Sequence, residues 1–336
     1  MVDFWLRKKD RANLVLAPMA GYTDSAFRLL CRELGADIVM TELVSADAIY
    51  HNKKLKVNSE KQIVEEGNLL DSDKTLSLMK FDEGERPIVI QLFGKYPEKF
   101  AYAAKWVTDN LKPDGIDINM GCPARKVVGS DHGAALLKNP DLAAEIVKSV
   151  RENVKIPLSV KTRLGWENDD EILDFAPKLV EAGINAITIH GRTYKDGFKN
   201  VSRWQNIYKV KKLISYSLKS SCAVIGNGDI KSYQQAIEKS ESDGIKLDGV
   251  AIGRSAFGNP WIFLPNKLKS YSLKPIILRH AKLAYKTKGD HGIIEFRKHL
   301  LAYTKGLPKA KELRKEAVGV ETVEDVVKII NQISNS

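Results

Sequence analysis

Cysteine is scarce in this chain of 336 residues: Cys31, Cys122 and Cys222 are an odd, scattered set with no Cys-x-x-Cys pair. That excludes a disulfide framework and argues against a structural zinc site. The six histidines form no His-x-x-x-His or His-Glu-x-x-His pattern, so no dedicated metal site is expected. No uncharged run approaches the roughly 20 apolar residues that span a bilayer. "LVLAPMAG" near the N-terminus is too short and too interrupted by proline for a signal peptide. No Gly-x-Gly-x-x-Gly follows the first apolar run, which disfavours a dinucleotide-binding open sheet. These absences lead us to expect a soluble, cytoplasmic protein without membrane contact, and nothing demands more than a monomer.

A chain that is 43% hydrophobic and 28% charged folds around a substantial core. Its formal charge of +11 is unevenly placed. Residues 263–336 hold 15 Lys/Arg against 7 Asp/Glu, and the first 262 residues hold 38 against 35. A basic module of this kind suits a polyanion, nucleic acid first, with a solvated lysine-rich surface as the plainer alternative.

Eight apolar runs recur: 14–19, 37–43, 87–93, 115–120, 157–164, 186–191, 223–228 and 249–254. The segments between them, such as "PEKFAYAAKWVTDN" and "PDLAAEIVKSVREN", carry apolar residues at three- and four-residue spacing. Strands alternating with helices give a parallel sheet. Eight such units in the first 262 residues match an α/β fold of the (β/α)8 TIM-barrel type, typically about 250 residues. From residue 263 strand patterns cease, and helices are expected over 275–302 and 309–334. The division is therefore a barrel over 1–262 and a small, basic, all-helical domain over 263–336.

Catalytic groups of such barrels sit at the C-terminal ends of the strands. Polar residues collect there in this chain: Gln91, Asn119, Cys122, Lys161, Arg163, His190, Asn227, Asp229 and Arg254. "GNGDI" and "AIGRS" place glycines after the seventh and eighth strands, the common phosphate position of the fold. Arg254 would add a charge-assisted bond there. Simple tight turns are the plain alternative. With Lys161 and Gln91 opposite, the set suits a flavin mononucleotide, held by phosphate at one end and ring at the other, and a cation beside the ring favours its reduced anion.

At this point seven motifs in register, "APMAGYTDSAFR", "QLFG", "DINMGCPARKV", "VKTRLGW", "HGRT", "GNGDI" and "GRSAFGNPW", resemble those of the tRNA-dihydrouridine synthases, most nearly the bacterial B-type. The tail "EFRKHLLAYTKGLPKAKELRKE" resembles that subfamily's helical domain. The resemblance implies an FMN enzyme that uses NADPH to reduce the C5–C6 bond of particular tRNA uridines. It places FMN contacts on Pro18, Met19, Ala20, Gln91, Lys161, His190, Asn227, Gly228, Asp229, Gly253 and Arg254, and the proton donor on Cys122. Two departures, Ser255 and the charge order of "RTYKDGFKN", bear on which uridine is served.

The chemistry explains why a cysteine suits the loop after the fourth strand. Hydride delivered to uracil C6 leaves negative charge on C5, which needs a proton. An ordinary thiol, with a pKa of about 8.5, is protonated near pH 7, whereas an ordinary carboxylic acid is ionised. Asn119 is placed to meet the uracil edge, and Arg125, Lys126, Arg163 and Arg192 are candidates for the RNA. Cys31 and Cys222 read as core residues. The rival readings are an FMN barrel acting on a free pyrimidine, as dihydroorotate dehydrogenases do, and an RNA-binding protein with an inactive barrel.

Overall fold

A computed structural model describes residues 4–52, 55–57, 63–65, 68–69, 74–265 and 273–333. All eight apolar runs form parallel strands: β1 (Asn13–Leu16), β2 (Ile38–Met40), β3 (Ile88–Phe93), β4 (Gly115–Met120), β5 (Leu158–Arg163), β6 (Ala186–His190), β7 (Ala223–Asn227) and β8 (Gly249–Ile252). Each pairs with the next, and β8 returns to β1 with Asn13 opposite Gly249, so the sheet closes into a barrel. Six helices clothe it: α1 (Ser25–Glu33), α2 (Pro97–Leu111), α3 (Pro140–Asn153), α4 (Ile172–Glu181), α5 (Gln205–Lys212) and α6 (Tyr233–Lys239). Between β2 and β3 the chain instead forms a short helix, Ala46–His51, and three short antiparallel strands within 55–69, which the sequence patterns did not announce. Among the described residues no helix is long and apolar enough to cross a membrane.

Period-two alternation decides which side chains enter the barrel. Ile116, Ile118 and Met120 of β4 face outward into the helix-covered core, so Asp117 and Asn119 face the axis. The same parity turns Gln91, Ser159, Lys161, Arg163, Thr188, His190 and Asn227 inward. At the N-terminal end the interior is apolar, with Trp5 in one buried cluster with Val15, Met40, Val89 and Ile225. Asn13 holds this plug by donating to the carbonyls of Phe4, Trp5 and Leu6. The apolar end closes the barrel, and the inward polar residues are left for the other.

Three helices follow: α7 (Leu273–Tyr303), α8 (Ala310–Ala317) and α9 (Val323–Gln332). Two expectations need correction. The helix over 275–302 is broken at Lys288–Gly289, where Gly289 adopts φ 58°, ψ −144°, a region costly for any side-chain-bearing residue. The helix over 309–334 is two helices, because Thr322 and Asp325 form a capping box that begins α9 afresh; residue 334 lies outside the described residues. Thr322→Ala removes the cap and is expected to cost about 1 kcal/mol, read as a lower urea midpoint at unchanged slope.

The core of this helical region is not its own. Ala26, Leu29, Leu30 and Leu34 from α1 and the turn after it cluster with Ile277, Ile293, Phe296, Leu300, Val326 and Ile330. Phe27 and Cys31, on the other face of α1, belong to the barrel's cluster. At the seam His280 and His299 lie against the Phe27 ring, at 5.5 and 4.7 Å between centroids. Burial pushes His280 down to about 4 and His299 well below the usual range, so both are neutral near pH 7. Asp24, which caps α1 at Phe27 N–H, faces the Lys298 ammonium at 3.6 Å. The seam thus sets two neutral rings beside the Asp24–Lys298 pair, with a second pair, Arg279–Glu33, between α7 and α1.

Candidate active site

The inward polar residues surround a cavity of about 570 Å³ at the C-terminal mouth of the barrel. Every residue expected to hold the cofactor borders it, as do Cys122, Asn119 and Arg163. Arg125, Lys126 and Arg192 do not.

One side of the mouth is a cationic, donor-rich cradle. Among the described residues the main-chain N–H groups of Gly228, Asp229, Gly253 and Arg254 donate to no protein acceptor. The loop geometry at Gly228 requires glycine: φ is +130°, and a Cβ would lie 2.1 Å from Ser202 Oγ. Arg254 is 60% exposed, lies 3.7 Å from Asp229 and packs over the Phe198 ring at 4.7 Å. Phe198, which the sequence reading passed over, also meets the Arg163 guanidinium, at 5.4 Å. Its signal was only an aromatic in a polar loop.

His190 ends β6 and is buried. Arg192 Nη1 lies 3.3 Å from its Nε2. A guanidinium only donates, so Nε2 accepts and Nδ1 carries the proton. Burial, then the charges of Lys161, Arg163, Arg192 and Arg254, holds the imidazole well below its ordinary pKa. It is a neutral donor in a positive field.

Arg192 is therefore placed differently from the RNA contact the sequence suggested. It is 5% exposed, with Nη2 bidentate on Asp229 at 2.8 and 2.9 Å and Nε on the Asn200 carbonyl. Burial alone would raise the Asp229 carboxyl, but the Ser202 N–H and Arg192 outweigh it and hold it below the usual range. Arg192 thus fixes His190 and Asp229. Arg163 borders the cavity and spends Nε and Nη1 on the carbonyls of Gly121, Thr193 and Gly197. It ties the β4 loop to the β6 loop. Arg125 and Lys126 stand exposed on a short helix, Arg125–Val128, just beyond Cys122, and enter no ion pair among the described residues.

Lys161 and Cys122 also border the cavity. Lys161 Nζ lies 3.3 Å from Asn227 Oδ1 and has no carboxylate partner within ion-pair distance among the described residues. Burial, reinforced by Arg163 and opposed by Asp117, lowers its ammonium to about 8. Cys122 is the partly exposed cysteine, whereas Cys31 and Cys222 are buried. Its main-chain N–H donates to Asn119 Oδ1 at 2.9 Å, and Gly121 N–H does so at 3.2 Å. Asn119 Nδ2 donates to Gln91 Oε1 and Gln91 Nε2 to Asp117 Oδ2, each at 2.8 Å. Asn119 Oδ1 is thus used in holding the loop, and the residue also borders the cavity. Asp117 was missed by the sequence reading, although its two-residue spacing from Asn119 put it on the same inward face.

This donor set could hold a flavin that carries a phosphate. Free main-chain N–H groups, Arg254 and the neutral His190 would hold a phosphate, and Lys161 would meet the ring. Residues 15–335 match a family model described as "Dihydrouridine synthase (Dus)". A "Probable tRNA-dihydrouridine synthase" of Aquifex aeolicus is 36% identical over 332 residues, 96% of each chain. A "tRNA-dihydrouridine synthase B" of Pseudomonas aeruginosa is 35% identical over 315 residues, 90% of this chain and 86% of that protein. Among solved structures, a 2-naphthoyl-CoA reductase complex superposes with a TM-score of 0.52 at 11% identity, over 76% of this chain and 50% of that one. That likeness is one of fold.

Proposed function

We propose, from the premise that this chain belongs to the dihydrouridine synthase family, that it reduces uridines of tRNA to 5,6-dihydrouridine, with FMN as cofactor and NADPH as electron donor. The observation that supports this best is a mouth cavity bordered at once by Cys122, by the phosphate cradle on the loops after β7 and β8, and by the half-buried Lys161. When bound, reduced FMN would supply the hydride for uracil C6. Cys122 would give its proton to C5 from the loop that Asn119 and Arg163 hold. Lys161 would set a cation against the flavin ring, while Asn227 orients its ammonium. His190 Nδ1–H, Arg254 and the loop N–H groups would bind the phosphate, with Asp229 and Arg192 keeping the last two strands' loops in place. A uridine must leave its stack to reach this depth.

In this reading 1–262 is the catalytic part and 263–336 the tRNA-binding part. Within the latter Lys305, Lys309, Lys311, Arg314 and Lys315 are exposed and enter no ion pair among the described residues. They cluster on α8 and the turn before it, and we assign them to tRNA phosphates, with Arg125 and Lys126 nearer the reacting base. Affinity should fall steeply with salt, and K311E/R314E should flatten the log–log slope by about 2, as filter binding would show. A salt-independent affinity would remove the assignment.

The deciding experiment gives purified, flavin-loaded protein NADPH and unmodified tRNA, and in parallel free uracil and orotate, with products read by mass spectrometry. Dihydrouridine in tRNA alone supports the proposal. Reduction of the free base alone would establish the rival pyrimidine reductase, and no product with either would leave a binding protein.

A further inference from the structure

The hydrogen bonds beneath Cys122 form a chain whose direction is fixed at both ends. Its outer end is the main-chain N–H groups of Gly121 and Cys122, which can only donate, so the Asn119 atom facing them is oxygen. Asn119 therefore turns its NH2 to Gln91 and meets the oxygen of that amide. Gln91 must then point its own NH2 inward, where an acceptor is required. Asp117 is that acceptor: its Oδ2 takes the Gln91 bond at 2.8 Å, and its Oδ1 takes one from Ser159 Oγ at 2.6 Å. Asp117 is fully buried within β4, opposite Gln91 and Ser159 in the strand registers. A carboxylate so deep in a barrel is costly unless its acceptors are used. Burial raises it to about 6, against the pull of Ser159, Gln91 and the Lys161 charge.

We infer that Asp117 is a positioning residue for the thiol: it sets the polarity of the Gln91 and Asn119 amides, and through them the place of the Cys122 main chain. It does not itself border the cavity, which it reaches only through Gln91 and Asn119. With an apolar side chain at 117 nothing holds Gln91 Nε2 inward. If both amides turn over, Asn119 presents NH2 to two N–H groups, and the loop loses both bonds. An amide at 117 would behave differently. Its oxygen can accept from Gln91 while its NH2 donates to the Ser159 hydroxyl, preserving the direction of the chain. The negative charge is thus dispensable, and the inward acceptor is not.

The structural half of this inference stands alone, and the catalytic half rests on the function proposed above. The test uses full-length, flavin-loaded wild type, Asp117→Leu, Asp117→Asn and Gln91→Met. Iodoacetamide labelling of Cys122, read on its peptide, reports loop position without any turnover, since the other two cysteines are buried. Loss of two hydrogen bonds should accelerate labelling about fivefold or more in Asp117→Leu and in Gln91→Met, with Asp117→Asn within about threefold of wild type. Single-turnover oxidation of the reduced enzyme by tRNA should slow by about 10- to 100-fold in Asp117→Leu and recover in Asp117→Asn, with the NADPH half-reaction barely moved. Wild-type labelling in Asp117→Leu overturns the inference, as does an Asp117→Asn variant as defective as the leucine. If Asp117→Leu does not fold, Gln91→Met cuts the same chain one residue further out, and its labelling rate decides. Altered labelling alongside a wild type that never reduces tRNA would sink the function and keep the positioning role.

Discussion

Replacing Cys122 with alanine is expected to slow uridine reduction by about 10²- to 10⁴-fold, the usual worth of a placed general acid, while NADPH still bleaches the flavin at close to the wild-type rate. The two halves separate because the thiol stands on the loop after β4, whereas the phosphate cradle is built on the loops after β7 and β8. The substitution removes one sulfur from a partly exposed position and leaves the main-chain bonds to Asn119 intact. Stopped-flow absorbance measures each half-reaction. Cys122→Ser is informative beside it, because a hydroxyl has the shape but is a far weaker acid, and it should resemble the alanine. A Cys122→Ala enzyme that turns over tRNA normally would strip the thiol of its role. Equal loss in both half-reactions would instead mean that the loop shapes the flavin pocket.

Lys161→Met should have two opposite effects. With flavin, it removes the cation assigned to the ring, and reduction by NADPH should fall by about 100-fold or more. Without flavin, it should stabilise the protein. The folded-state pKa of about 8 lies below the ordinary 10.5, so the unfolded chain holds the proton more tightly. The charged lysine therefore costs the empty fold about 2–3 kcal/mol below pH 8, a cost that disappears as pH rises from 8 through 10.5. Methionine keeps the length and sheds the charge. Urea midpoints of the flavin-free proteins at pH 7 and pH 10 would show the variant ahead at 7 and the gap narrowing at 10. A less stable variant at pH 7 would mean that the Asn227 contact and the attraction of Asp117 outweigh burial. Such an exchange of stability for function is common where a charge is kept for a ligand.

Much of the barrel was legible because its strands are buried on both faces, which writes each as a short apolar run between polar turns. The mouth was legible for a related reason: a polar residue at the end of such a run, as with His190 or Asn227, has little other place to point. Pairings were not legible, because they join distant segments. Nothing local in "HGRT" says that Arg192 meets Asp229, 37 residues on, rather than an RNA. The Asn119–Gln91 bond was hidden for the same reason, since the Gln91 amide arrives from another strand. The helix breaks at Gly289 and before Thr322 were obscured because consecutive short helices can share one apolar periodicity. The two-sided character of α1 was visible in "SAFRLLCRELG" as apolar residues on both faces, but what lay beyond the second face was not.

That second face limits how the chain could be recombined. Because α1 lends Ala26, Leu29 and Leu30 to one core and Phe27 and Cys31 to the other, the C-terminal helices are not a cassette. A hybrid that took only residues 263–336 from a relative would set foreign side chains against a native α1, and its faults would be read as lost recognition when they were faults of packing. Exchanges meant to move uridine choice from one relative to another need two cuts, carrying residues 18–34 together with the tail. Natural variation that tracks substrate position should likewise pair changes in α1 with changes in α7 and α9.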